Sequence, residues 1–94
     1  MARENKVAVY IHSDGGEERD LSPENGSIFS KQEIAQKLSG EPQVIPMRKD
    51  AHKVIIVDAA GVAKELSPNI KASIMAGRVV VGPIIVCASD EHDL

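Results

Sequence analysis

A strand that is apolar on both faces must be covered on both, and the stretch "AGRVVVGPIIVCAS" (Ala76 to Ser89) reads as such a strand. Alternation places Val79, Val81, Ile85 and Cys87 on one side, with Val80, Ile84 and Val86 on the other. One helix layer covers one face of the sheet that contains it. The opposite face needs a second helix or a partner subunit. Gly82-Pro83 interrupts the run, and proline donates no ladder hydrogen bond. The pair marks either a β-bulge or edge switch that bends the strand, or a point where a ligand or another chain approaches a bare backbone.

The remaining elements follow from periodicity and punctuation. "KVAVYIHS" (Lys6 to Ser13) alternates as a strand, "DGG" turns it tightly, and "EERDL" returns as a short charged edge strand. "SPENGS" (Ser22 to Ser27) is turn chemistry. In "FSKQEIAQKLSG", Ser30 and Glu33 have capping-box spacing, and Phe29 and Ile34 have staple spacing. Ile34, Ala35 and Leu38 form one apolar stripe, and Gly40 is expected to end the helix in the left-handed conformation ahead of Pro42. "QVIPM" and "KVIIVDA" are strands, the former at an edge or bulge because of Pro46. "VAKEL" is a short extended piece. Ser67 and Pro68 start a second helix as N-cap and N1, with Ile70, Ile74 and Met75 facing inward and Gly77 stopping it. The expected fold is α+β, a small mixed or antiparallel sheet with two short helices in the order β-β-α-β-β-(β)-α-β. Residues 1–89 form a single domain, and 90–94 form a frayed acidic tail.

With 94 residues, one cysteine and no zinc-ligand spacing, the chain has neither a disulfide nor a structural metal to supplement its core. Val and Ile make up half of its apolar residues, and Tyr10 and Phe29 are its only aromatics. A thin aliphatic core of this kind predicts a homo-oligomer. The net charge of −3 argues against direct nucleic-acid binding. No apolar run reaches membrane-spanning length, and the unpaired thiol suits a reducing cytoplasm.

The pattern "ENGSIFSKQEIAQKLSG" resembles the "NG-x-x-F-[ST]-x-x-E-[LI]" helix entry of a domain-of-unknown-function family of small phage, plasmid and mobile-element proteins. "VIIVDAAG", "SPNIKAS" and "VVVGPIIVC" match that family's later motifs in order, so the resemblance runs from Glu24 to Cys87. "QVIPM" departs from the more typical Gly-rich, aromatic-bearing approach to the third strand. The family carries no established catalytic residues, so the resemblance implies a context rather than a chemistry.

No nucleophile motif, phosphate loop, dinucleotide fingerprint or metal cluster is present, and no enzyme activity, cofactor or metal is expected. His12, His52 and His92 lie far apart, Glu17, Glu18 and Asp20 read as a solvated edge, and Cys87 reads as a small core hydrophobe. The one concentration of positive charge is Arg48, Lys49 and Lys53, with Lys71 and Arg78 near the second helix. It is either a solvated loop or an anion site. The expected function is a non-catalytic binding protein of phage or mobile-element type with an anti-defence role. It would sequester a phosphorylated small molecule such as a cyclic nucleotide between subunits, or block a host protein. The alternative is an accessory subunit of a nucleic-acid-processing or other enzyme complex, with no ligand of its own.

Overall fold

The structure is a computed structural model that describes residues 8–19, 21–23, 28–48, 50–92 and 94. Parts of the expected first strand (Lys6, Val7) and of the "SPENGS" turn (24–27) therefore lie outside the described residues, as do Asp20 and Lys49.

The chain forms β1 (Val9–Ile11), β2 (Glu17–Glu18), α1 (Lys31–Leu38), β3 (Pro42–Pro46), β4 (Lys53–Asp58), α2 (Ile70–Ala76) and β5 (Ile84–Ala88). These build one sheet in the order β2-β1-β5-β4-β3, antiparallel throughout. The last strand to leave the chain occupies the centre, which is where a strand of unbroken aliphatic residues loses least. Ile84, Ile85, Val86 and Cys87 are all buried.

The two helices cover opposite faces. Phe29, Ile34 and Leu38 pack with Ala8, Val54, Ile56, Ile85 and Cys87 on one side. Ala72, with the half-buried Met75 and Ala76, packs over Val9, Ile11, Ile45, Ile55, Val57, Ile84 and Val86 on the other. Of the two covers expected for the opposite face, the second helix supplies it. β2 couples the layers: its adjacent glutamates point to opposite faces, so Glu17 reaches Lys71 of α2 (2.8 Å) while Glu18 reaches Lys37 of α1 (3.2 Å).

The capping box of α1 is formed, with Glu33 N–H donating to Ser30 Oγ (3.2 Å) and Ser30 N–H donating to Glu33 Oε1 (2.8 Å). The left-handed stop, however, is Ser39 (φ 58°) rather than Gly40. Gly40 serves a different need, since a Cβ there would overlap the Asp58 carboxylate. Asp58, 5% exposed, accepts from Lys64 Nζ (2.7 Å) and Ala60 N–H (2.9 Å), and Lys64 also donates to the Ser39 carbonyl (3.0 Å). One buried carboxylate therefore ties the end of β4 to the end of α1.

β3 is an edge strand, as Pro46 indicated. Ala59 N–H donates to the Glu41 carbonyl (2.8 Å), which sets the phase of the β3–β4 ladder. Gln43 and Ile45 turn their backbone groups toward β4, and Pro42, Val44 and Pro46 turn theirs outward. Among these three only Val44 carries an N–H.

Three expectations are corrected. "VAKEL" is a series of turns, with Lys64 N–H donating to Ala60, Glu65 to Val62 and Leu66 to Gly61, so the optional extra strand is absent. The final strand begins at Ile84, not at Ala76. Before it, Gly82 adopts φ +80°, donates to the Ser67 carbonyl (2.7 Å) and accepts from Asn69 Nδ2 (2.9 Å). A Cβ on Gly82 would lie 2.7 Å from Leu66 Cδ1, so the close approach there comes from the chain's own Leu66. Gly82-Pro83 is a bend that docks residues 79–82 against the start of α2. Finally, the C-terminal segment is not frayed at Glu91. That residue is buried, its carbonyl accepts from Phe29 N–H (2.7 Å), and His92 bridges Phe29. The segment satisfies the backbone just ahead of the α1 cap, which is why it docks.

Candidate functional site

The orientation of α2 decides which of its side chains meet solvent. Its N-cap is Asn69, two residues later than Ser67, and Asn69 is fully buried. Asn69 Oδ1 accepts from Ala72 N–H (3.0 Å), and Nδ2 donates to Gly82 O, with the Ile11 and His12 carbonyls at 3.4 Å. Ser73 Oγ accepts from Val80 N–H (2.9 Å) and lies 2.8 Å from the Asn69 carbonyl. The inward stripe is therefore Asn69, Ala72, Ser73 and Ala76, with spacings of three and four. Two polar residues are accepted inside because every group finds a partner. Ile70 and Ile74, expected inside, are rotated out and stand 66% and 72% exposed, beside Val79 at 80%.

An open groove of about 450 Å³ runs along this outer face, between Ile70, Ile74 and Val79 and two arginines, Arg48 and Arg78. Arg48 arrives from the β3–β4 loop because its N–H donates to the Met75 carbonyl (2.9 Å). Its stem crosses the C-cap, where Gly77 (φ 71°) leaves room. A Cβ at Gly77 would come 2.7 Å from Arg48 Cδ. Arg78 and Val79 also border a smaller cleft of about 190 Å³ that reaches the exposed Val62.

Charge pairing separates the five expected site residues. Arg48 and Arg78 come together in the groove. Lys71 pairs with Glu17 (2.8 Å), Lys53 pairs with Asp50 (3.9 Å), and neither lines the groove. Lys49 lies outside the described residues. Arg19, Lys31, Lys37 and Lys64 also have carboxylates within reach. Among the described residues, Arg48 and Arg78 are the two Lys/Arg side chains with no ion-pair partner. They meet although thirty positions separate them, and no local sequence pattern carries that signal.

Two glutamates of β2 are engaged structurally. The Lys71 ammonium, followed by Arg19, holds the Glu17 carboxyl below its ordinary value, and Lys37 and His12 do the same for Glu18. Among the described residues no cluster of His, Cys, Asp and Glu could hold a metal ion, and no buried side-chain polar atom lacks a hydrogen-bond partner. Cys87 is buried in the α1-side core. A further hollow of about 370 Å³ lies beside α1, bordered by Leu21, Phe29, Glu33 and Lys37. Its charged side chains already serve the α1 cap and the Glu18 pair. What the α2 groove can do chemically is bind: two guanidinium groups flank three exposed aliphatic side chains, with Ser73 and Gly77 between them.

No protein-family model matches the chain, and neither the curated proteins nor the solved structures contain a significant match. Among the described residues no helix is long and apolar enough to cross a membrane.

Proposed function

We propose that the protein is a non-catalytic binding protein that docks the outer face of α2, with Arg78 and Val79, onto another protein. One observation carries this reading: the two unpaired arginines flank three exposed aliphatic side chains in a single groove. Contiguous exposed apolar surface with a polar rim is the usual mark of an interaction site, and arginine is enriched in protein interfaces.

Of the two targets expected from the sequence, a protein suits these walls better than a phosphorylated nucleotide. The groove offers no aromatic ring for a base to stack on, and three of its walls are exposed aliphatic side chains that suit a protein surface. Phe29 is buried on the opposite face of the sheet, and Tyr10 is engaged by His12 (ring centroids 4.8 Å apart) and Lys37. An accessory subunit and a blocker of a host protein would both use this surface, and the mobile-element resemblance favours the host protein.

The test is a pull-down from host lysate with the wild-type protein and with Ile74→Asp, whose exposed position leaves the fold intact by circular dichroism. The expected result is a stoichiometric partner held by the wild type and lost by the variant. A partner held equally by both overturns the reading. So does a nucleotide released from the denatured wild-type protein and detected by mass spectrometry.

A further inference from the structure

The groove's chemistry narrows the kind of partner, given the docking reading above. From the geometry we infer that it takes an acidic amphipathic helix, whose carboxylates pair with Arg48 and Arg78 while its aliphatic side chains pack on Ile70, Ile74 and Val79. Six of the eight described Lys/Arg side chains have a carboxylate within 4 Å, so an intramolecular partner is the rule in this chain. Arg48 and Arg78 break that rule in the same place, and among the described residues no carboxylate lines the groove. The missing anions are left for the occupant to bring.

Two other occupants fit less well. In a second copy of this chain packed two-fold on the same face, neither groove would offer the facing arginines a carboxylate. A compact phosphate is usually held by backbone N–H groups at a helix start. Here the arginines sit at the carboxyl end of α2, where the backbone presents carbonyls and no N–H cradle, so any anion is held by the guanidinium forks alone. Separate carboxylates, each met by one guanidinium fork and carried on an apolar segment, match what is present. Ile70 and Ile74, four positions apart, give the ridge that an amphipathic helix lies against.

The experiment uses the isotope-labelled full chain and three synthetic helical peptides. The peptides share one leucine stripe and carry Glu, Gln or Lys at the flanking polar positions. The Glu peptide is expected to shift the amide signals of Ile74, Gly77, Arg78 and Val79. It should bind about tenfold more tightly than the Gln peptide. That advantage should shrink as salt is raised and vanish in the Arg48→Gln/Arg78→Gln protein, which keeps the three-carbon stem and removes the charge. Glu and Gln peptides that bind equally overturn the charge assignment and leave the docking surface standing. Failure of every peptide to shift these amides overturns both. If inorganic phosphate shifts them and the peptides do not, the occupant is a small anion and the helix proposal is wrong.

Discussion

Replacing Asn69 by Ala removes the residue that orients the candidate surface. The side chain is fully buried and carries two separate functions. Its Oδ1 caps α2 through Ala72 N–H (3.0 Å), and loss of such a cap costs about 1 kcal/mol. Its Nδ2 satisfies the Gly82 carbonyl at 2.9 Å, and a buried acceptor left without its donor costs about 1–3 kcal/mol. The sum, about 3 kcal/mol, is large beside the total of about 5–14 kcal/mol expected for a domain of this size. With a urea slope near 1 kcal/mol/M, the unfolding midpoint should fall by about 3 M. Ser67→Ala, at the cap position the sequence suggested, should move it little, because Ser67 contributes a backbone carbonyl to Gly82. Asn69→Asp sharpens the test. It keeps the cap acceptor but sets a carboxylate against three carbonyls, so the folded-state pKa of the new group is raised above its unfolded value. The folded state then binds the extra proton more tightly, and the variant must lose stability as pH rises through the acidic range and regain it as pH falls. A midpoint shift of Asn69→Ala no larger than that of Ser67→Ala would refute the reasoning.

Asp58 predicts an acid limb of its own. The Lys64 ammonium, helped by Ala60 N–H and opposed by burial, holds its carboxyl below the ordinary value. Its contribution is therefore complete above the unfolded carboxyl pKa of about 3.9 and is lost as pH falls through the lower folded value. Urea unfolding repeated across this range should show a shallower acid limb in Asp58→Asn, and an unchanged limb would remove the pair from the account. Gly82→Ala should destabilise by about 1–3 kcal/mol, since alanine at φ +80° is strained and its Cβ would meet Leu66. In a thermal melt, pairing it with Leu66→Ala should recover the steric part, so the double variant should lose less than the sum of the singles.

Much of this fold was readable where local chemistry decides the structure. Ser30 and Glu33 closed their box, Gly15 took its positive φ in the β1–β2 turn, and Pro46 marked an edge. The face of α2 was misread because hydrophobicity ranks Asn69 and Ser73 below Ile70 and Ile74. Burial of the two polar residues depends on carbonyls and N–H groups supplied by residues 11, 12, 80 and 82, which local sequence does not display. Glu91 was assigned to a loose tail for the same reason, as its carbonyl's donor lies at Phe29. In the candidate groove, Arg48 and Arg78 were recognisable as cations. Their convergence, and the pairing of Lys71 with Glu17, follow from tertiary structure, whereas Lys53 meets Asp50 only three positions away.

The prolines that bracket β3 have a consequence for how this molecule can aggregate. A Val- and Ile-rich layer with an open rim is a natural template for fibre growth, in which each incoming chain extends the ladder through main-chain bonds. Here that rim offers one N–H between two positions that cannot donate, and the far rim is a two-residue strand of glutamates. Among the described residues both rims resist strand addition, which favours association through side chains.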